Sequence, residues 1–181
     1  MNAVGIFVDC SHCGFRTMME AMARSADSVV FSHSNPRALV DHQRNITDVQ
    51  IRACAETGGG VGINGVGLFL GETTPRAATV ARHVAHVAEL TGSEHVGICL
   101  GYLPDPAGDE DADDASVLAK LFAASPWYWP DSHGYESAAS CLDVRCLPAV
   151  AEELVTIGFG AGEIAGILGG NFRGVARAVW K

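Results

Sequence analysis

Four short apolar runs, each followed by a stretch of helical periodicity, constrain this chain more than any other feature. Residues 5–9 are apolar with β-branched and aromatic side chains and read as a strand opening almost at the first residue. Phe15, Met18, Met19 and Met22 then recur at helical spacing within residues 15–24, and residues 29–31 form the second run. Thr47-x-x-Gln50 has the form of a capping box, so a helix is expected over 48–57, stopped by Gly58. Residues 60–70 are the third run. Thr74-Pro75 reads as an N-cap followed by proline at the first helical position, opening a helix with Val80, Val84, Val87 and Leu90 on one face. Residues 95–100 are the fourth run. Because each run is apolar throughout rather than alternating, the strands are expected to be buried on both faces. That pattern predicts an α/β fold of parallel strands with covering helices.

A length of 181 residues suits one domain over 1–181, and 48% hydrophobic against 18% charged residues supplies enough material for a core. After Tyr102 the rhythm breaks: six acids fall within residues 105–114, a short helix is expected over 116–124, and an aromatic loop spans 126–130. Two helices, near 148–157 and 163–180, complete a helical C-terminal part, with Gly158 and Gly169-Gly170 as breaks. Twelve Lys and Arg against 21 Asp and Glu give a net charge of −9, which argues against nucleic acid or an anionic membrane as partner. No apolar stretch approaches the roughly 20 residues of a spanning helix, and the first residues lack the basic start of a signal peptide. Cysteines 10, 13, 54, 99, 141 and 146 follow no disulfide-framework spacing and read as reduced thiols of a cytoplasmic protein.

The strongest chemical signal is a pair of histidines. His12 and His33 each follow a serine at the C-terminal end of a strand, the rim on which α/β folds build their sites. Two neutral imidazoles converging there suit a transition metal, with zinc the default. Arg44 lies in a polar loop just downstream of His33, where a guanidinium can hold a substrate carboxylate. Weaker motifs carry less. Cys10-x-x-Cys13 has redox spacing but no second cysteine pair. Gly60-x-Gly62-x-x-Gly65 matches a dinucleotide fingerprint literally, yet no helix follows at once. The acidic run from Asp109 lacks the glycine and terminal glutamate of a calcium loop. His83 and His86 read as packing or surface residues of a helix, and His95 opens a strand at the opposite rim.

Residues 32–39, the segment Arg44-Asn45-Ile46-Thr47-Asp48, the strand end Val8-Asp9-Cys10-Ser11-His12, residues 94–98 and residues 167–172 together resemble the membrane (renal) dipeptidase family, the M19 metallopeptidases. The resemblance runs in order through nearly the whole chain. It implies a (β/α)₈ barrel of the TIM type with a binuclear zinc site that hydrolyses dipeptides by metal-activated water. On that resemblance His12 and His33 match two histidines holding one zinc, and Arg44 matches the arginine that grips the dipeptide carboxylate. The sequence departs from the family in two ways. It aligns with the C-terminal half of the barrel, so that Met1 looks like an internal methionine and the N-terminal ligands lie outside it. The family's last-strand Asp is replaced by Gly101, with Asp105 as a possible substitute. The expectation is therefore a half-barrel holding at most one half-formed zinc site. It would be completed by an N-terminal half or by self-association, or would serve as a non-catalytic assembly module.

Overall fold

The computed structural model describes residues 1–101, 120, 122–127, 131–135 and 140–180. Among the described residues four parallel strands stand in chain order: β1 (Val8–Asp9), β2 (Val29–Val30), β3 (Val61–Asn64) and β4 (Val96–Cys99). Val8 lies opposite Val29, and Val61 opposite Val96. The two pairs are joined through Phe31: its N–H donates to the Gly60 carbonyl at 3.0 Å, and Gly62 N–H donates to the Phe31 carbonyl at 2.8 Å. Val29, Val30, Phe31 and all of β3 are buried, as expected of strands covered on both faces.

Helices α1 (Phe15–Arg24), α2 (Asp48–Glu56), α3 (Gly67–Leu70) and α4 (Ala77–Thr91) connect the strands. Among the described residues further helices follow near the C-terminus: α5 (Leu147–Thr156), α6 (Ala161–Ala165) and α7 (Asn171–Val179). Met18 and Met22 of α1, Ile51 and Cys54 of α2, Val80, Val84 and Val87 of α4, and Val150 and Leu154 of α5 all point into one core around Phe31 and Ile63. Each such side chain contributes roughly 1.5–3 kcal/mol on full burial. The Thr47 capping box forms: Thr47 N–H donates to Gln50 Oε1 at 2.9 Å, and Gln50 N–H to Thr47 Oγ1 at 3.4 Å.

Several boundaries differ from the sequence expectation. The third apolar run is not one strand over 61–70: β3 stops at Asn64, whose side-chain oxygen accepts from Val66 N–H at 2.7 Å, and the chain turns into α3. The first run contributes only Val8–Asp9, because Asn2–Val4 form a 3₁₀ turn closed by Gly5 at φ 70°. His95 belongs to a second 3₁₀ turn, with Nδ1 against the Gly59 carbonyl at 2.7 Å, and not to the strand. Thr74-Pro75 does not cap α4. That helix begins at Ala77 with Arg76 at the N-cap, held by Glu72, which accepts from Arg76 N–H at 3.1 Å. The closing helix is interrupted by a π-turn, Gly166–Gly170, in which Gly169 adopts φ 148°. The acidic segment, Asp105 and most of the helix expected over 116–124 lie outside the described residues.

The glycines of the dinucleotide-like motif have a packing reason. A Cβ on Gly62 would overlap the Ser32 carbonyl oxygen, and one on Gly60 would lie 2.8 Å from the His95 carbonyl oxygen. Close strand approach, not phosphate binding, demands glycine there.

His83 on α4 is fully buried, and neither ring nitrogen makes a well-formed hydrogen bond. Burial, reinforced by the positive charge of Arg82, pushes its pKa down to about 4. The unfolded chain therefore binds a proton between about pH 6.5 and 4 that the native chain refuses. Stability is full above pH 6.5 and falls as the pH drops toward 4, by at most about 3 kcal/mol. Replacing His83 with Leu is expected to remove most of that acid loss, read as urea midpoints at pH 7 and pH 4.5. An unchanged difference between the two midpoints would refute the assignment.

Candidate metal centre

The C-terminal ends of β1 and β2 deliver two Ser-His pairs to one rim. Cys10 N–H continues the β1–β2 ladder by donating to the Val30 carbonyl at 2.8 Å, after which both chains turn away. His12 takes φ 64° in doing so, the one non-glycine residue among those described with a positive φ. This costs about 1 kcal/mol. The result is a close approach of two rings: His12 Nε2 lies 2.7 Å from His33 Nε2, with ring centroids 4.8 Å apart and planes inclined by 58°.

Asp9 underlies the pair. Its Oδ1 accepts from Ser11 N–H at 2.9 Å and Ser32 N–H at 3.1 Å, and its Oδ2 accepts from Ser32 Oγ. Ser32 Oγ also lies 2.7 Å from His33 Nδ1, while His33 N–H donates to Ser11 Oγ at 3.2 Å. Burial works against the Asp9 carboxylate, but the hydrogen bonds from Ser32 and Ser11 prevail and hold its pKa below the ordinary value. Both imidazoles have lowered pKa values, through burial first and the Arg44 charge second. Neutral rings are the form that can ligate.

Arg44 is brought to the same rim by a return of the chain. Arg37 N–H donates to the Ile46 carbonyl at 2.7 Å and Ile46 N–H to the Asn35 carbonyl at 2.9 Å, so residues 35–37 run beside Ile46. Buried Asn45 pins the turn through its amide, which donates to the Val40 and Phe69 carbonyls, both at 3.0 Å. The Arg44 guanidinium donates to Ser34 Oγ at 3.2 Å and to the His33 carbonyl at 2.9 Å, and it lies 5.8 Å from the Phe69 ring centroid. Its buried Nε meets no hydrogen-bond partner among the described residues. These residues open into a cavity of about 550 Å³ lined by His12, Cys13, Phe15, Met18, Arg44 and Tyr135, among others.

The two histidines and Arg44 are thus brought together. Spacing along the chain assigns no role to Asp9 or Ser32; the recurrence of serine before both histidines was the available signal. His133, Gln43 and Tyr135 also border the cavity, with Gln43 Nε2 2.6 Å from His133 Nδ1, and no pattern in the sequence marks them. His83 is core, His86 pairs with Asp48 at 2.9 Å, and His95 sits in the turn that enters β4, at the end away from the rim; none joins the site. Gly101 has φ 70°, and a Cβ there would lie in ordinary contact with Asn64 and Val66 side-chain atoms, the nearest at 3.6 Å. Cys10 is buried with its thiol pushed up to about 11, and Cys13 is exposed. A raised thiol pKa is the opposite of what a redox Cys-x-x-Cys needs.

As a test of metal fit, two imidazole nitrogens face one another at hydrogen-bond distance, close enough that a small separation of the rings would admit an ion, and both belong to the nitrogen donor class that suits zinc. Among the described residues no group of three His, Cys, Asp or Glu stands close enough to enclose an ion. His12 and His33 would supply one part of a coordination shell. No helix among the described residues is long and apolar enough to cross a membrane.

A family model described as membrane dipeptidase (peptidase family M19) matches residues 1–125. An uncharacterized dipeptidase of Schizosaccharomyces pombe is 34% identical over 124 residues, covering 67% of this chain and 30% of its own length. An amidohydrolase from Pseudomonas aeruginosa superposes with a TM-score of 0.77 at 25% identity, over 99% of this chain and 54% of that one. A metallo peptidase from Rhodobacter sphaeroides, liganded with a phosphinate mimic of the dipeptide L-Ala-D-Ala, superposes with a TM-score of 0.71 at 23% identity, over 99% of this chain and 44% of that one. The chain thus spans between about a third and a half of the length of these relatives. With parallel strands, covering helices and a family model matched along two thirds of its residues, the chain belongs to the membrane dipeptidase family, peptidase family M19.

Proposed function

We propose that this chain carries the imidazole and carboxylate-binding part of a metal-dependent dipeptidase. The observation that supports this most is the 2.7 Å approach of His12 Nε2 to His33 Nε2 at one strand-end rim. In this reading His12 and His33 hold one zinc ion of a binuclear centre, and the remaining ligands belong to barrel strands beyond these 181 residues. Those strands belong to the same polypeptide or to a second one. A zinc ion held there supplies Lewis-acid polarisation of a scissile carbonyl and lowers the pKa of water. The four parallel strands then form half of a (β/α)₈ barrel. Its completion by an N-terminal half, or by a second copy, covers the strand edges.

Arg44 supplies binding rather than chemistry. Its guanidinium is oriented by Ser34 and the His33 carbonyl, with further N–H groups left for the C-terminal carboxylate of a dipeptide in the adjoining cavity. The cavity wall formed by Phe15, Met18 and Tyr135 suits an apolar side chain. Gly101 favours a second reading for these residues alone, a non-catalytic assembly module, because that position offers no proton-transfer group.

The two readings separate experimentally. The 181-residue chain is expected to take up at most one zinc ion in equilibrium dialysis and to leave a simple dipeptide such as Ala-Ala intact. Supplied with the missing half of the barrel, it is expected to hydrolyse that dipeptide. A chain that stays inactive in the completed barrel would favour the assembly module. For Arg44 the probe is Ala-Ala against its C-terminal amide, titrated by NMR. The free carboxylate is expected to bind about tenfold more tightly, since a hydrogen bond to a charged group contributes about 1.5–3 kcal/mol. Arg44→Leu is expected to abolish the difference; equal affinities in the unaltered chain would remove Arg44 from the site.

A further inference from the structure

We propose that Asp9, acting through Ser32, is the positioning residue that decides which nitrogen of His33 is bare, and so aims a lone pair at the ion site. The inference deepens the metal-centre reading and rests on it for its purpose, but its proton accounting stands on hydrogen bonds alone.

A carboxylate carries no proton, so Asp9 accepts every hydrogen bond it makes. Its Oδ1 is occupied by two backbone donors, Ser11 N–H and Ser32 N–H. Its Oδ2 is left for the Ser32 hydroxyl, which has one proton and commits it there. Ser32 Oγ therefore has only lone pairs to offer His33 Nδ1, 2.7 Å away. The proton between them must belong to the imidazole, so His33 is the Nδ1–H tautomer and its Nε2 is bare. In the metal-free chain that bare nitrogen accepts from His12 Nε2–H across the 2.7 Å gap. With an ion bound by both rings, His12 would instead carry its hydrogen on Nδ1, leaving its Nε2 lone pair free. Ser11 supports the arrangement from the side: its hydroxyl accepts from His33 N–H and lies 3.3 Å from Ser32 Oγ, which fixes the backbone from which the His33 ring projects. Carboxylate partners commonly fix metal-bound imidazoles directly; here a serine is interposed.

A substitution of nearly unchanged shape tests this because it reverses the polarity of the relay. In Asp9→Asn the two backbone donors keep the amide oxygen at the Oδ1 position, so the NH₂ group faces Ser32 Oγ. Ser32 must then accept from it and is free to donate to His33 Nδ1, which leaves the His33 proton on Nε2. The measurement is the ¹⁵N shift pattern of the His33 ring in metal-free protein at pH 8. The unaltered chain is expected to show Nδ1–H as the major form, and Asp9→Asn to show Nε2–H. Zinc affinity, read by competition with a chromogenic chelator, is expected to fall ten- to a hundredfold in Asp9→Asn and in Ser32→Ala, and to stay within threefold in Ser32→Thr, which keeps the hydroxyl. Nε2–H as the major form in the unaltered chain, or the same tautomer in Asp9→Asn, would overturn the proposal. So would a loss of zinc affinity in Ser32→Thr equal to that in Ser32→Ala. A purely structural role for Asp9 would lower thermal stability and leave the tautomer unmoved. Should the unaltered chain take up no zinc, the metal-centre reading fails while the tautomer result still decides the relay.

Discussion

Gly62→Ala is expected to destabilise the chain by about 3 kcal/mol, lowering the midpoint of thermal unfolding by roughly 10 °C. The cause is backbone against backbone. A methyl group at this position overlaps the Ser32 carbonyl oxygen, and neither partner is the end of a flexible side chain that can swing aside. Relief requires β2 and β3 to separate, at the seam where Phe31 and Ser34 donate to the Gly60 and Gly62 carbonyls at 3.0 and 2.8 Å. Because Ser32 and His33 follow β2 directly, the same separation displaces the rim that carries the two histidines, and on the proposed reading zinc affinity is expected to fall with stability. Gly14→Ala is the control, since an added Cβ there meets nothing within 4 Å. Calorimetry on the two variants decides the matter: a shift of less than about 3 °C for Gly62→Ala would mean that the seam yields.

His33→Ala carries the largest functional effect. It removes one of the two imidazoles, and the 2.7 Å convergence with His12 is lost. Zinc affinity is expected to fall at least a hundredfold, a larger loss than removing a supporting hydrogen bond produces. Far-ultraviolet circular dichroism is expected to remain unchanged, because His33 is only half-buried and stands outside the core. His86→Ala is the paired control: that ring faces Asp48 on the helical layer and should leave zinc uptake untouched. Equal affinities for His33→Ala and the parent chain would dismantle the metal centre as described.

Periodicity made the α/β class legible because parallel strands buried on both faces need continuous apolar runs, and Val29, Val30, Phe31 and Ile63 supply them. It could not mark where a strand ends inside such a run. Asn64 ends β3 by bonding the Val66 N–H with its own side chain, a local competition invisible to an apolar-residue count. The same limit explains α4. Thr74-Pro75 has the right composition for a helix start, yet Glu72 captures Arg76 N–H and moves the start to Ala77. At the site, the two histidines were readable because each follows a strand, and strand ends share a rim. Asp9 was not readable as a support, because its partners Ser11 and Ser32 belong to different loops and meet only when β1 and β2 pair. The wall residue Tyr135 lies about 90 positions from Arg44 along the chain, beyond the reach of any spacing argument.

The left-handed backbone of His12 sets two kinds of selection against each other. Glycine would occupy φ 64° without the steric cost that histidine carries, offset in part by its freer unfolded chain. Breeding this chain for heat tolerance alone therefore pushes the position toward glycine, and on the proposed metal reading each degree gained that way would remove a ligand. Hardening of the fold has to be sought at other positions if the rim is to keep both imidazoles.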